Sequence, residues 1–245
     1  MEYSQDEVIV VCIARQIKDG ELVVQGIATP LIAAGLLLAR HTHAPNLYFA
    51  SAIGQGICKD PAPLGVSNIE EFWLDKSLTN IGFVRTASDF LPSLKPKEFF
   101  RPAQIDAHGN FNNIAIGKNY SKPKLRLPGT GGIPDVTTFI EDIYLYIPRH
   151  SKVSFVPKLD FCSGLGDHPS RSKGIGPRYL VTNLGQFDFF QGKLRLLSYH
   201  EGITIEKIKR KTGFPFLISK DVHKTKPPSK EEIELLRNDI DPLGI

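Results

Sequence analysis

Apolar residues in the first fifty positions occur in runs whose spacing predicts helices and strands in alternation. A helix is expected over Ser4–Asp19, because acids occupy its first turn, an apolar run follows and Gly20 provides a stop. The Val-rich segment Glu21–Gly26 predicts a strand, and Pro30 then begins a second helix. The apolar segment Leu47–Ser51 predicts an inner strand buried on both faces. This alternation indicates an α/β chain.

The remainder of the chain is predicted to contain more strands than helices. Strands are expected at Phe99–Asp106, Phe111–Ile116, Ile143–Ile147, Val153–Val156, Tyr179–Thr182 and Leu194–Ser198. Helices are expected at Thr204–Lys211 and at Ser229–Asn238, the second beginning with the capping-box pair Ser229 and Glu232. No repeat and no second core is evident, so one domain over residues 1–245 is predicted. The predicted fold class is α/β, with an open, mostly parallel sheet and helices on both faces.

Composition and charge limit the partners that need to be considered. The chain has 245 residues, 41% of them hydrophobic, and a net charge of +4, which suits a phosphorylated ligand but is too small to indicate nucleic acid binding. The longest apolar run, Leu31–Ala39, is far too short to cross a bilayer, and no signal sequence is evident. Three cysteines without metal-ligand spacing are expected to be reduced thiols. A cytoplasmic protein with no membrane contact and no metal is therefore expected.

Seven short segments occur along the chain in an order that resembles a known family. They are GIATP at Gly26–Pro30, APNL at Ala44–Leu47, AQIDAHGNFNN at Ala103–Asn113, PGTGG at Pro128–Gly132, VTNLG at Val181–Gly185, TGF at Thr212–Phe214 and IDP at Ile240–Pro242. The set resembles the β subunit of the class I coenzyme A transferases, closest to the glutaconate CoA-transferase type. The resemblance implies the open sheet of that family, an acyl-CoA substrate and no cofactor beyond the coenzyme A of that substrate. It also implies a separate α subunit, in a heterodimer or heterotetramer, that completes the active site.

The resemblance breaks at the residue that carries the family's chemistry. In these transferases a glutamate just beyond the APxL strand attacks the acyl-CoA and becomes a glutamyl-CoA thioester. Counting from Ala44 without a gap places Ala52 at that position, and Leu22–Lys59 contains no Asp or Glu. Because such a chain cannot form the covalent enzyme–CoA species, hydrolysis, C–C ring opening or decarboxylation of a carboxylated acyl-CoA is favoured over CoA transfer.

Two groups within the family lack this glutamate, and the chain resembles both. The GIATP segment and the run His43–Pro45 are similar to the β subunit of 3-methylglutaconyl-CoA decarboxylase, which has a cysteine at the glutamate position. Val181–Phe189 (VTNLGQFDF) is similar to the β subunit of the steroid ring-opening CoA hydrolase. Neither similarity decides the reaction. Two other interpretations stay open: a true CoA-transferase with its nucleophile on the α subunit, and a non-catalytic scaffold subunit.

Two loops are the candidate substrate-binding elements. Ligands of open α/β sheets bind outside the carboxyl ends of the strands, so substrate contacts are expected from Ser51, Ala52, Ile53, Gly54 and Gln55. Backbone N–H groups of the turn that holds Gly54 and Gln55 are suited to stabilise negative charge on a carbonyl oxygen, with an ordinary tight turn as the alternative. A second set resembles the family loop near the substrate carboxylate, again with a simple turn as the alternative: Gly129, Gly131 and Gly132.

Three side chains near the first loop have reactive groups but also plain structural explanations. Cys58 lies past two glycines, so it either touches the substrate or is an inert, partly buried thiol. His41 and His43 end the second helix, where they offset the helix dipole, although an imidazole is the nearby group that acts as a base near neutral pH. Asp106 and Asn110 flank a His-Gly turn that is expected to support the site as architecture.

Overall fold

The structure is a computed structural model that describes residues 2–26, 29–51, 56–65, 69–141, 143–171 and 176–244. The chain forms two compact units. The N-terminal unit consists of Met1–Phe99 and Pro227–Ile245, and the central unit consists of Phe100–Lys226.

The described ranges contain α-helices and two π-helical turns, called π1 and π2. In chain order they are α1 (Gln5–Ala14), α2 (Pro30–Thr42), α3 (Ile69–Asp75), α4 (Phe83–Arg85), π1 (Thr86–Phe90), α5 (Leu91–Leu94), α6 (Ile133–Phe139), α7 (Ile205–Lys211), α8 (Lys230–Leu235) and π2 (Leu236–Ile240). None of the helices in these ranges has the length and apolar character needed to cross a membrane.

The strands are short, and their bounds follow the β-prone runs of the sequence in most places. In chain order they are β1 (Leu22–Gln25), β2 (Tyr48–Ser51), β3 (Gly56–Cys58), β4 (Ser77–Asn80), β5 (Lys97–Phe100), β6 (Gln104–Ile105), β7 (Phe111–Asn112), β8 (Ala115–Ile116), β9 (Leu125–Arg126), β10 (Ile143–Ile147), β11 (Tyr179–Thr182), β12 (Gly185–Phe190), β13 (Lys193–Tyr199) and β14 (Leu217–Lys224).

Parallel and antiparallel pairs occur in both units. The N-terminal unit has the order β5-β1-β2-β3-β4, in which β1 is parallel to β5 and β2, and β3 is antiparallel to β2 and β4. The central unit has the order β10-β11-β12-β13-β14, in which the outer two pairs are parallel and the inner two are antiparallel. Two hairpins, β6/β7 and β8/β9, complete the central unit. The predicted α/β class and open sheet are confirmed.

Helix α1 begins where the sequence predicts and ends earlier. The Ser4 hydroxyl accepts a hydrogen bond from the Glu7 N–H at 3.1 Å, and the Glu7 carboxylate accepts one from the Ser4 N–H at 2.6 Å, which forms a capping box. The helix ends at Ala14 and the chain continues as turns. Gly20, with φ +78°, therefore lies in the turn before β1 and not at the helix end.

Helix α2 begins with Pro30 in its first turn, as predicted, and packs closely on α1. A Cβ atom added to Gly35 of α2 would lie 2.6 Å from the Ile13 Cγ2 atom of α1. Because that distance is below van der Waals contact, the crossing of the two helices requires a residue without a side chain at position 35.

The predicted strand Phe99–Asp106 is divided in two. β5 ends at Phe100 and β6 begins at Gln104. Pro102 lies in the interruption and has no N–H group to donate to a neighbouring strand, which explains the break. The predicted strand Phe111–Ile116 is also divided in two, into β7 and β8.

The prediction of a strand at Val153–Val156 is wrong. The Phe155 N–H donates to the Ser151 carbonyl at 2.8 Å, so the segment is a turn, and Phe155 forms only an isolated bridge with Ile105. In a strand, Val153 and Phe155 would point to the same face, but Val153 is 66% exposed whereas the Phe155 ring is fully buried in the central unit.

A buried histidine organises the core of the central unit. The His150 ring stacks on Phe155 with the centroids 3.6 Å apart and the planes at 3°. Its Nδ1 atom lies 3.2 Å from the Thr182 Oγ1 atom, and its Nε2 atom lies 2.9 Å from the Thr212 Oγ1 atom. Burial lowers the pKa of His150 to about 3, and burial also lowers the pKa of His200. Both imidazoles are therefore neutral structural groups near pH 7.

The two predicted C-terminal helices are present. Helix α7 is capped by Thr204, whose hydroxyl accepts from the Lys207 N–H at 3.1 Å. Helix α8 has the predicted capping box between Ser229 and Glu232, and it continues as π2 to Ile240.

Candidate functional site

The end of β2 is where the sequence places the first substrate loop. Ser51, the last residue of β2, is 4% exposed and pairs with Gln25 of β1 and with Gly56 of β3. The predicted loop residues lie outside the described residues: Ala52, Ile53, Gly54 and Gln55. The structure therefore shows the two strand ends that hold this loop, at Ser51 and Gly56.

Gly56 lies in a very close contact between β3 and β4. A Cβ atom at this position would lie 2.1 Å from the Ser77 Oγ atom and 2.3 Å from the Thr79 carbonyl oxygen. The second contact is with backbone, so it cannot be relieved by rotating a side chain. The strand that follows the loop is therefore fixed by a residue that must be glycine.

We expect Gly56→Ala to lower the free energy of unfolding by about 2 kcal/mol or more, because the added methyl group forces β3 and β4 apart. Chemical denaturation of the purified protein measures the change. Gly26→Ala is the matched control, since its Cβ atom would meet its nearest neighbour, the Thr29 Cγ2 atom, at 3.5 Å, an ordinary contact. Equal stabilities for the two variants would contradict the close packing.

The Cys58 thiol is enclosed in the N-terminal unit. Cys58 is fully buried and is opposite Phe49 in the β2–β3 register, so the two side chains share one face of the sheet. Its Sγ atom donates to the Trp73 carbonyl oxygen at 3.5 Å. Burial raises the pKa of the Cys58 thiol, which keeps it in the protonated, unreactive form at neutral pH. These contacts favour the interpretation of Cys58 as an inert thiol.

The two histidines at the end of α2 are both exposed. His43 is the C-terminal cap of α2, and its ring lies 2.9 Å from the Thr42 Oγ1 atom and 3.1 Å from the Ile17 carbonyl oxygen. The contacts of His43 favour its structural interpretation, in which it joins the end of α2 to the segment after α1.

The second predicted loop, Gly129–Gly132, has open space next to two of its glycines. Gly129 and Gly131 have φ values of +105° and +49°, and a Cβ atom at either position would meet no atom within 4 Å. The Gly129 N–H donates to the Asn113 carbonyl at 3.1 Å, and Gly132 has φ −82° at the start of α6. The positive φ values explain the glycines, and the open space leaves the peptide groups accessible to a ligand. This loop belongs to the central unit, whereas Ser51 belongs to the N-terminal unit.

The His-Gly turn is held by the side chains that flank it. The Asp106 carboxylate accepts hydrogen bonds from the His108 N–H at 2.9 Å, the Asn110 N–H at 3.0 Å and the Asn110 side-chain amide at 3.1 Å. Gly109 has φ +79° in the same turn, between β6 and β7. Both flanking side chains are thus engaged within the turn, as the architectural interpretation predicts.

A carboxyl group in β5 was missed by the sequence reasoning. Glu98 is surrounded by protein but keeps some solvent-accessible surface, and burial raises its pKa to about 8. No described residue makes a hydrogen bond or an ion pair with it. The neighbouring Lys97 is bound instead to Glu21, with the Lys97 Nζ atom 2.6 Å from the carboxylate.

The similarity of this chain to known proteins identifies its family. Residues 98–211 match the sequence model of the family described as Coenzyme A transferase. The β subunit of the 3-oxoadipate CoA-transferase of Pseudomonas knackmussii is 30% identical over 260 residues, which covers 96% of this chain and 92% of that protein. The chain belongs to the coenzyme A transferase family. Because the match spans nearly all of both proteins, it is a β subunit of a CoA-transferase-family enzyme.

Other members of the coenzyme A transferase family that resemble this chain have different activities. The cholesterol ring-cleaving hydrolase IpdB subunit of Rhodococcus jostii is 29% identical over 234 residues, covering 92% of this chain and 87% of that protein. The crystal structure of the decarboxylase AibA/AibB has a TM-score of 0.85 and 28% identity, covering 99% of this chain and 97% of that chain. Membership of the CoA-transferase family therefore establishes the fold and an enzyme subunit, while the reaction must be argued from the site.

Proposed function

We propose that this chain is the β subunit of a two-subunit enzyme that hydrolyses a carboxylated acyl-CoA or cleaves one of its C–C bonds, and that it does not transfer CoA. One observation carries the proposal: Leu22–Lys59 contains no Asp or Glu, and Ala52 occupies the position where the family resemblance places the attacking glutamate. Without that carboxylate this segment cannot form the covalent acyl anhydride and enzyme–CoA thioester.

Two side chains of the same segment with reactive groups, Cys58 and His43, make structural contacts that support this proposal. The Cys58 thiol is buried against Trp73, with its pKa raised by burial. The His43 ring is engaged with Thr42 and Ile17. The chemistry that remains is stabilisation of negative charge by backbone N–H groups, together with proton transfer.

The proposal includes a separate α subunit. Relatives of this chain are named as one subunit of a larger enzyme, the IpdB subunit among them, and the decarboxylase is an AibA/AibB pair. We place the catalytic base on the α subunit, in a heterodimer or heterotetramer. We propose that backbone N–H groups of Gly54 and Gln55 stabilise the thioester oxygen. As a separate proposal for the central unit, the loop Gly129–Gly132 binds a carboxylate.

Gly131→Ala is expected to raise the KM for a carboxylated acyl-CoA about tenfold with a smaller change in kcat, because a methyl group would fill the open side of the loop. Gly202→Ala is the matched control. Gly202 also lies in the central unit, has φ +72° and meets no atom within 4 Å of an added Cβ. Steady-state kinetics of both variants separates loss of substrate binding by the loop from the effect of backbone strain. An equal KM in the two variants would contradict the binding role.

The proposed reaction is tested with the chain co-purified with an α-type partner subunit. Glutaconyl-CoA, 3-methylglutaconyl-CoA and 3-oxoadipyl-CoA serve as probes, and CO2 release, free CoA and exchange into acetyl-CoA with acetate as acceptor are measured. We expect CO2 or free CoA to appear without an acceptor, and neither hydroxylamine nor borohydride to inactivate the enzyme. Ping-pong exchange with a trapped enzyme thioester would overturn the proposal.

True CoA transfer with a nucleophile from the α subunit is the second candidate. It is favoured by the identity of 30% to the β subunit of a 3-oxoadipate CoA-transferase. This candidate predicts that a trapped thioester is found on the α subunit and not on this chain. A pair that neither binds nor turns over any of the three probes would instead support a scaffold subunit.

A further inference from the structure

The β8/β9 hairpin of the central unit carries positive charge that is not paired with an acid among the described residues. Four exposed side chains, which we call the hairpin cations, supply this charge: Lys118, Lys122, Lys124 and Arg126. Residues 107–134 contain no Asp or Glu. The Asp160 carboxylate reaches the base of the hairpin, where it accepts hydrogen bonds from the Gly117 N–H at 2.9 Å and the Gln104 side-chain amide at 3.1 Å. No ion pair among the described residues includes a hairpin cation.

The loop of this hairpin is ordered by short-range contacts. The Asn119 side-chain oxygen accepts hydrogen bonds from the Ser121 N–H at 3.0 Å and the Lys122 N–H at 3.3 Å. Gly117 has φ +108°, and a Cβ atom at this position would lie 2.9 Å from the Lys124 backbone nitrogen. Because the backbone is already ordered, a ligand of the hairpin cations binds without the entropy cost of folding the loop.

Arg126 is held by an aromatic ring of the same hairpin. Its guanidinium lies over the Tyr120 ring, 4.5 Å from the centroid, and its Nη2 atom donates to the Tyr120 carbonyl at 2.6 Å. The Tyr120 ring is 60% exposed and makes an edge contact with Phe161, with the centroids 5.9 Å apart. Lys124 precedes Arg126 by two residues, so both side chains lie on one face of the strand. This face of the hairpin therefore presents two cations and an aromatic ring to solvent.

The hairpin cations have the chemistry of a phosphate-binding site. Arginine binds phosphate through two parallel N–H groups, and lysine binds it as a point charge. The Arg126 Nε and Nη1 groups have no acceptor among the described residues, so they are available to a ligand. The proposed substrate is an acyl-CoA, and coenzyme A carries a 3′-phosphate and a diphosphate at its nucleotide end. A cluster of this size matches those phosphate groups, whereas a nucleic acid requires a larger basic surface.

The hairpin continues directly into the loop Gly129–Gly132. The Gly129 N–H donates to the Asn113 carbonyl at 3.1 Å, three residues after the end of β9. An extended chain rises about 3.3 Å per residue, which puts Lys124 at most about 17 Å from Gly129. The pantetheine arm of coenzyme A is a flexible chain that spans an interval of this size. One acyl-CoA can therefore contact both elements of the central unit.

We propose that the hairpin cations bind the phosphate groups of the coenzyme A portion of the substrate. The proposal rests on the proposed function for the class of ligand, an acyl-CoA, and does not depend on which bond of that ligand is broken. The loop Gly129–Gly132 then holds the acyl end of the molecule, and the hairpin holds its nucleotide end. Because the hairpin cations are exposed, salt weakens their attraction for phosphate.

The test compares two double variants in the complex with the α subunit, Lys122→Gln/Lys124→Gln and the control Lys209→Gln/Lys211→Gln. Lys209 and Lys211 are exposed in α7 of the same unit, so the two variants lose the same charge. For the probe that the wild-type pair turns over, the hairpin variant should raise the KM about tenfold with kcat unchanged, because the lost contacts are equal in the ground state and the transition state. The control should keep the wild-type KM.

The same acyl group carried by pantetheine separates phosphate binding from indirect damage. Pantetheine thioesters lack all the phosphate groups, so the hairpin variant and the wild-type pair should turn them over with equal kcat/KM. Added salt should raise the wild-type KM for the acyl-CoA and should change the KM of the hairpin variant less. An equal loss of kcat/KM on the two thioesters would overturn the proposal.

A measurement on the wild-type pair keeps the proposal testable if the hairpin variant fails to assemble. Lysines are modified with an amine-reactive reagent in the presence and absence of coenzyme A, and the extent is determined by peptide mass spectrometry. Coenzyme A should slow the modification of Lys118, Lys122 and Lys124 but not of Lys209, and pantetheine should protect none of them. Equal modification with and without coenzyme A would overturn the proposal. So would hairpin lysines that are unreactive in the pair without ligand, since the hairpin would then be a subunit interface.

The outcomes distinguish this site from the proposed reaction. Ping-pong exchange with a trapped enzyme thioester would overturn the reaction and leave the phosphate site intact, because CoA transfer uses the same ligand. A wild-type KM for the acyl-CoA in the hairpin variant would overturn the site and leave the reaction intact.

Discussion

Lowering the pH from 7.5 to 5 is expected to reduce the stability advantage of the wild-type protein over His150→Gln by about 2 kcal/mol. Burial lowers the pKa of His150 to about 3 from 6.5. Between these values the unfolded chain binds a proton that the folded chain does not, so stability is lost as the pH falls through this window. The neutral ring is fixed between Thr182 and Thr212 and stacked on Phe155, where a charge has no counterion among the described contacts.

Urea denaturation at several pH values measures this difference. His150→Gln is less stable at pH 7.5 because it loses the stack on Phe155, but it has no imidazole to protonate. His41→Gln, at an exposed position in α2, is the control and should follow the wild-type pH dependence. A difference between wild type and His150→Gln that stays constant from pH 7.5 to 5 would show that His150 is not held neutral.

Strands whose residues are buried on both faces were predictable from sequence. β2 and β11 consist of short apolar runs bounded by turn residues, and the structure places them close to the predicted positions. The helix starts were equally clear, from the acids of the first turn after Ser4 and from the capping-box pair Ser229 and Glu232. These features depend on neighbours in the sequence, and this is why the pattern alone identifies them.

Features that depend on distant contacts were not predictable. β14 has the pattern of an exposed, Lys-containing edge strand, and its residues show no alternation that would reveal it. The turn at Phe155 imitates an alternating strand because its buried ring packs on His150, not because the backbone is extended. The closeness of Gly56 to the Thr79 carbonyl was not predictable either, because it depends on the pairing of β3 with β4.

The candidate site also has one feature that the sequence alone reveals and one that only the structure reveals. The missing acid between Leu22 and Lys59 is a property of the sequence and needs no coordinates. Glu98 follows Lys97 at the start of a strand, which in sequence is typical of a pair of solvated charges. Only the fold shows that the two side chains are treated differently: Lys97 is paired with Glu21, and Glu98 is enclosed without a partner among the described residues. The unpaired state of Glu98 is therefore seen only in the structure.

Raising the pH from 5 to 8 is expected to favour Glu98→Gln over the wild-type protein by on the order of 2 kcal/mol, after allowance for the accessible surface of the carboxyl group. Burial raises the pKa of Glu98 to about 8 from 4.5. Within this window the folded chain keeps a proton that the unfolded chain has released, so wild-type stability falls as the pH rises. Above pH 8 both states are ionised and the difference becomes constant.

Denaturation of the assembled protein from pH 5 to pH 9 tests this effect, with Glu71→Gln, at an exposed position in α3, expected to follow the wild-type curve. The direction is opposite to that of His150, so the two variants distinguish the two buried groups even where their pH windows overlap. A glutamine that made the protein less stable at every pH would mean that the Glu98 carboxylate has a stabilising donor in the folded state. A stability gain of Glu98→Gln that increases between pH 5 and 8 would show that the unpaired carboxyl group is unfavourable for the fold.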